Sequence, residues 1–164
     1  MRRSTVASAL PILFLAFFRA GLSSSSGQTV EIPSQTIRLE IARGLHRVIV
    51  FQGDRKVKTY PVAVGRPGWE TPLGQFHVLQ MVRNPVWKHP LTHEIFPPGS
   101  PGNELGRYWI GFLVDRDGLI GFHATPHPES VGKAMSHGCV RMLEADIREL
   151  FSEVTPGTLV SVVP

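Results

Sequence analysis

The sequence predicts a mainly β fold: a single-domain β-sandwich of mixed sheets with one short C-terminal helix. Three observations lead there. Gly (16) and Pro (14) are numerous and spread along the 164 residues, so the chain turns often. Its apolar residues come in short β-branched runs, several alternating with polar ones. Only one segment repeats apolar residues at helical spacing, Leu143, Ile147, Leu150 and Phe151. The length suits one domain able to bury a core without cross-links.

The elements follow in order. Ile37, Leu39 and Ile41 alternate with polar neighbours, and His46 to Phe51 is β-branched and apolar. The short turn at Gly44 between them predicts a hairpin. Gln52-Gly53-Asp54 turns the chain into a third strand, Val57 to Val64, which Pro61 marks as an edge or a bulge. Gly65 to Phe76 (GRPGWETPLGQF) is dense in Gly and Pro and reads as a loop, with one strand from Phe76 to Met81. Asn84 to Asn103 is long, Pro-rich and irregular, the kind of segment that carries function in compact domains. Trp109–Val114 and Leu119–His123 read as strands around the turn Asp115 to Gly118. The helix is expected over about Leu143 to Phe151, and Gly157 leads a last strand, Thr158 to Val163. There is no internal repeat and no second domain signal.

The first residues belong to no core. Arg2-Arg3 precede an apolar run, Leu10 to Phe18, and then a small polar stretch, Ser23 to Gly27. That order is a secretory signal peptide, and the run is short for a membrane-spanning helix. Residues 1–27 are therefore expected to direct export, with 28–36 as linker and 37–164 as the folded domain. Residues 1–27 hold three arginines and no acid, so the formal charge of +4 falls to +1 without them. The basic balance is no nucleic-acid footprint.

Cys139 is the single cysteine, so no internal disulfide forms. A lone thiol in an exported chain is an intermolecular bridge or a reactive group. Its setting, Ser136-His137-Gly138-Cys139-Val140-Arg141-Met142, supplies the second. Gly138 allows a tight turn, and amides at such a turn can face a developing oxyanion. His137 and Arg141 add positive potential that favours a thiolate. His123, ending the apolar run Leu119-Ile120-Gly121-Phe122, sits where a strand can hold a base. A Cys–His pair brought together by folding is the minimal apparatus of acyl transfer.

These residues resemble the catalytic signature of the L,D-transpeptidases, the YkuD domain: a histidine after an apolar strand (GFHA), a Gly-bearing loop, then SHGCVRM. Four further blocks are similar to the family pattern: VAVGRPGWETPLGQF, NPVWKHP, PPGSPGNELG, and DIRELF with VTPGTLVSV. The likeness runs from about residue 37 to the C-terminus. Ala124 stands where the family has Gly, and Glu104 where it has Pro.

The resemblance implies a peptidoglycan L,D-transpeptidase. Cys139 would attack the carbonyl between the diamino acid and the terminal D-alanine of a tetrapeptide stem, D-alanine would leave, and an amine would take the acyl group. That amine would belong to another stem or an envelope protein; water would make the enzyme an L,D-carboxypeptidase. His123 would be the base, oriented by the Ala124 carbonyl. The Gly138 and Cys139 amides would form the oxyanion hole, with Ser136 and His137 shaping the turn. Arg141, Trp87 and Tyr108 would contact substrate. No cofactor or metal is implied, and the protein is expected to be a monomer.

Rival readings remain open at this level. His137 could serve as the base. His123, His127, His137 and Cys139 could bind zinc, although Pro126 and Pro128 exclude the helix that would align the first two. His89 and His93 are expected on a loop surface, since Pro90 breaks any helix between them. The fold could also survive as a catalytically silent peptidoglycan-binding module.

Overall fold

Two β-sheets share one apolar core in the computed structural model, which describes residues 36–89, 91–115 and 118–164. The expected signal peptide and nearly all of the linker lie outside the described residues. The described residues belong to one compact unit. No helix among the described residues is long and apolar enough to cross a membrane.

The first sheet has the order β3-β2-β1-β13-β5. Strands β1 (Ile37–Ala42), β2 (Arg47–Gln52) and β3 (Arg55–Pro61) run antiparallel as the turn residues demand. Strand β3 is an edge, and Pro61 ends it, where no ladder donor is lost. The last strand, β13 (Leu159–Val163), returns parallel to β1 and makes the sheet mixed. Leu39, Ile41, Val48, Val50 and Val160 point inward and are fully buried.

A short strand, β4 (Val64–Gly65), follows β3. The single strand expected over Phe76–Met81 is two: β5 (Gly74–His77) pairs with β13 in the first sheet, and β6 (Gln80–Arg83) pairs with β9 in the second. The chain changes sheets between them. The Val78 N–H donates to Thr158 O (2.9 Å), and the next amide, Leu79, donates to Gly111 O (2.7 Å). One apolar run thus serves two ladders, which periodicity alone cannot reveal. The long loop contains a small hairpin, β7 (Trp87–Lys88) with β8 (Ile95–Phe96).

The second sheet has the order β12-β10-β9-β6, with β9 Tyr108–Asp115, β10 Gly118–Ala124 and β12 Val140–Met142. Strand β11 (Ala134–Ser136) pairs parallel with β4 outside it. Helix α1 (Glu144–Glu153) lies against β9 and β10, burying Ile147 and Leu150. Lys58 and Tyr60 of β3 reach Glu149 of α1, Tyr60 Oη donating to Oε2 at 3.0 Å. The helix is thereby tied to the first sheet as well. Phe76, Phe112 and Phe122 join the sheets through ring contacts at 5.9 and 5.1 Å.

Candidate active site

Strand alternation decides which residues can meet. In β10 and β12, Phe122 pairs with Val140 and Ala124 with Met142, all buried in the core. The intervening pair, His123 and Arg141, must face the other way. Trp109 of β9 is in register with His123, and its ring stacks on the imidazole with centroids 5.9 Å apart. That face is the floor of a cleft of about 660 Å³, into which Cys139, His123, Ser136, His137 and Arg141 all open.

The turn carrying Cys139 links β11 to β12 and is held from within. Ser136 Oγ donates to the Cys139 carbonyl (2.5 Å) and accepts the Gly138 N–H (3.1 Å). Gly138 sits at φ +110°, a conformation closed to other residues without strain. Its carbonyl accepts Thr71 Oγ1 (2.8 Å), and the same oxygen accepts the Gly65 N–H (3.1 Å). Thr71 is fully buried and joins the Gly/Pro loop to the cysteine turn. The sequence reading gave it no role; its signal was the Thr-Pro pair in that loop. Thr71→Val keeps the shape and removes the hydroxyl, leaving the Gly138 carbonyl and Gly65 amide unsatisfied. Stability should fall by about 2 kcal/mol in urea titration, while Thr71→Ser stays near wild type. An unchanged midpoint for the valine variant would show that the turn is held elsewhere.

His123 is almost wholly buried (4 % exposed). Its Nδ1 lies 2.5 Å from the Ala124 carbonyl. A carbonyl only accepts, so Nδ1 carries the proton and Nε2 holds the lone pair. Burial foremost, then the Arg141 charge, pushes its pKa down to about 4, against the pull of backbone hydrogen bonds at Ala124 and Glu104. The ring is neutral at neutral pH.

Cys139 is partly exposed to the cleft. Burial of the sulfur pushes the thiol above its ordinary range; a Gly121 backbone hydrogen bond and Arg141 oppose this, and Asp115 adds to it. The positive surroundings read from the sequence do not produce a resting thiolate, because desolvation outweighs them. The site rests as neutral thiol beside neutral imidazole.

His137 accepts an Arg66 guanidinium N–H on Nε2 (2.9 Å) and stands edge-on to Trp69, 4.9 Å between centroids. Burial first, then the neighbouring arginines, holds it below the ordinary histidine range. With that lone pair taken, His137 is the weaker candidate for the base. The Gly138 amide, expected in the oxyanion hole, is spent on Ser136. His127 pairs with Glu129 at 3.3 Å, both exposed. Among the described residues, no three His, Cys, Asp or Glu side chains are grouped to hold a metal.

Trp87 lines the cleft with Trp69 and Trp109. It stacks on Phe96 across the β7–β8 hairpin, 5.2 Å between centroids. His89 and His93 lie on the loop, His93 exposed as expected, and both line the cleft. Tyr108 is not in the cleft. It is next to Trp109 in one strand, so it faces the opposite side, against Phe151 of α1 (5.1 Å) and beneath Arg83 (5.4 Å).

The arrangement has known counterparts. Residues 35–162 match the model of the YkuD family, the L,D-transpeptidase catalytic domain. A Bacillus licheniformis protein carrying the name L,D-transpeptidase YkuD is 37 % identical over 146 residues, 85 % of this chain and 77 % of that protein. The Bacillus subtilis YkuD protein is 35 % identical over 150 residues, 88 % of this chain and 79 % of its own. Among solved structures, L,D-transpeptidase 3 of Mycobacterium tuberculosis, in complex with a faropenem-derived adduct, superposes with a TM-score of 0.63 at 20 % identity. It covers 79 % of this chain, which in turn spans 60 % of that one. The match over most of the chain, on a fold of the same kind, makes this protein a member of the L,D-transpeptidase catalytic-domain family.

Proposed function

We propose that this chain is an exported peptidoglycan L,D-transpeptidase with Cys139 as nucleophile and His123 as general base. One observation carries the assignment of roles. His123 is locked through Nδ1 on the Ala124 carbonyl, leaving Nε2 as its basic atom, and it opens into the same cleft as the chain's only thiol.

Chemistry starts from the neutral pair. As Cys139 Sγ attacks the carbonyl between the diamino acid and D-alanine, His123 Nε2 takes the thiol proton. The tetrahedral oxyanion is met by the Cys139 amide, since the Gly138 amide is already occupied. The imidazolium returns its proton to the departing amine, D-alanine leaves, and a thioester remains. An acceptor amine then loses a proton to His123 and attacks the thioester; collapse restores the thiol. The base is never required to hold a proton at rest, which suits its depressed pKa. Export by residues 1–27 would place this chemistry at the cell envelope, where the acceptor is a second stem or a protein amine.

The test is mass spectrometry of tetrapeptide muropeptides incubated with residues 28–164, beside Cys139→Ala. Loss of D-alanine with cross-linked dimers, absent in the variant, is the expected result. Tripeptide without dimers would assign hydrolysis to the same site. No change in either sample would overturn the enzyme reading in favour of a silent binding module.

A further inference from the structure

Glu104 is the position where the sequence departs from the family pattern beside the cleft, and it is built in rather than dangling. Its loop is fixed by the buried Asn103, whose amide donates to the carbonyls of Pro85 (2.9 Å), Phe96 (3.3 Å) and Pro97 (3.2 Å). Asn103 Oδ1 accepts the Leu105 N–H (3.0 Å), and the Leu105 carbonyl accepts the Ala124 N–H (3.1 Å). This clamps the loop to the end of β10. The Glu104 backbone also acts on His123, pulling its pKa up against burial. Its side chain turns to Arg141, Oε2 to Nη2 3.4 Å. Both side chains line the cleft.

The contact is long and single, where a strong carboxylate–guanidinium pair is short and bidentate. A guanidinium has five N–H donors and a carboxylate about four acceptor sites, so each partner can take another group without giving up the other. Arg141 faces the same way as His123, one strand spacing of about 4.8 Å away. Its side chain is largely shielded, 16 % exposed, against 36 % for Glu104. Opposite charges fixed side by side beside the base are complementary to a carbon bearing both an ammonium and a carboxylate.

We propose that Glu104 and Arg141 form a specificity subsite for the zwitterionic end of a diamino-acid side chain, Glu104 taking the ammonium and Arg141 the carboxylate. This rests on the acyl-transfer reading above. It gives Glu104 the role of discriminating among donors by the far end of their third residue.

Three tetrapeptide donors test it: side-chain end with ammonium and carboxylate, with ammonium and carboxamide, and with acetylated amine and carboxylate. Dissociation constants are measured on Cys139→Ala with and without Glu104→Gln, and D-alanine release on the same pair with the cysteine intact. The zwitterionic donor should bind about tenfold tighter than the acetylated one, the size of one good charge-assisted contact. In Glu104→Gln that ratio should drop to about twofold or less, with Glu104→Asp recovering part of it. A ratio unchanged in Glu104→Gln overturns the subsite. So does an equal weakening for all three donors, which marks a merely structural role. The expected binding ratios without any D-alanine release would support the subsite while sinking the acyl-transfer reading, so the two fail separately.

Discussion

His123→Gln is expected to lower the turnover number for D-alanine release by about 10²–10⁴-fold, the usual worth of a positioned base. Binding of the donor should change little, because the ring is almost wholly buried beneath Trp109 rather than exposed as a contact surface. The free wild-type enzyme should lose activity only as pH falls toward about 4, where His123 takes a proton, and not near the ordinary histidine value. The same group governs acid stability. Its folded pKa lies below its unfolded one, so its contribution is complete above about pH 6.5 and is lost as pH falls to about 4. That amounts to about 3 kcal/mol, and His123→Gln should abolish it. Alkylation of Cys139 by iodoacetamide should climb about tenfold per pH unit between about pH 6 and pH 8, as a protonated thiol requires. A rate already flat across that range would mean a resting thiolate–imidazolium pair and would contradict the electrostatics described above.

Gly65→Ala is expected to be the most damaging small substitution. A Cβ there would stand 2.0 Å from Trp69 O, 2.6 Å from Thr71 N and 2.8 Å from Glu70 C, all backbone atoms that cannot swing aside. The Gly/Pro loop must move, and with it Thr71, which holds the Gly138 carbonyl. A loss of about 3 kcal/mol or more in urea titration is expected, with a parallel loss of Cys139-dependent activity. Gly68→Ala provides the contrast. Gly68 is at φ +82° but has open space around it, so only backbone strain of about 1–2 kcal/mol applies. If both variants unfold alike, crowding at Gly65 is not what sets the effect.

How far the sequence reaches can be judged from particular residues. The hairpin β1–β2, the edge strand with Pro61 and the helix were legible because local spacing and turn residues determine them. The grouping of the candidate residues was legible too: Cys139, His123, His137 and Arg141 all open into one cleft. What local pattern could not show was partnership across the fold. The run around Val78 serves two sheets, and nothing in its hydrophobicity marks the handover. Tyr108 and Trp109 are alike as aromatic neighbours, and only the placement of α1 tells which faces the cleft. The Gly138 amide looked available until Ser136 was seen to occupy it. Positive neighbours of Cys139 were visible, but the desolvation that overrides them is a property of the packed site. Thr71 stood in a recognised block without a role, since its partner is 67 residues away.

The neutral resting state of Cys139 bears on how long the protein lasts. Thiolates, far more than thiols, attack peroxides and disulfides, and sulfonic products are not recovered. Proteins of this family are generally associated with the cell envelope, beyond the reducing pool of the cytosol. Keeping the sulfur protonated until a donor arrives sacrifices idle reactivity and lengthens the working life of a residue for which the chain carries no spare.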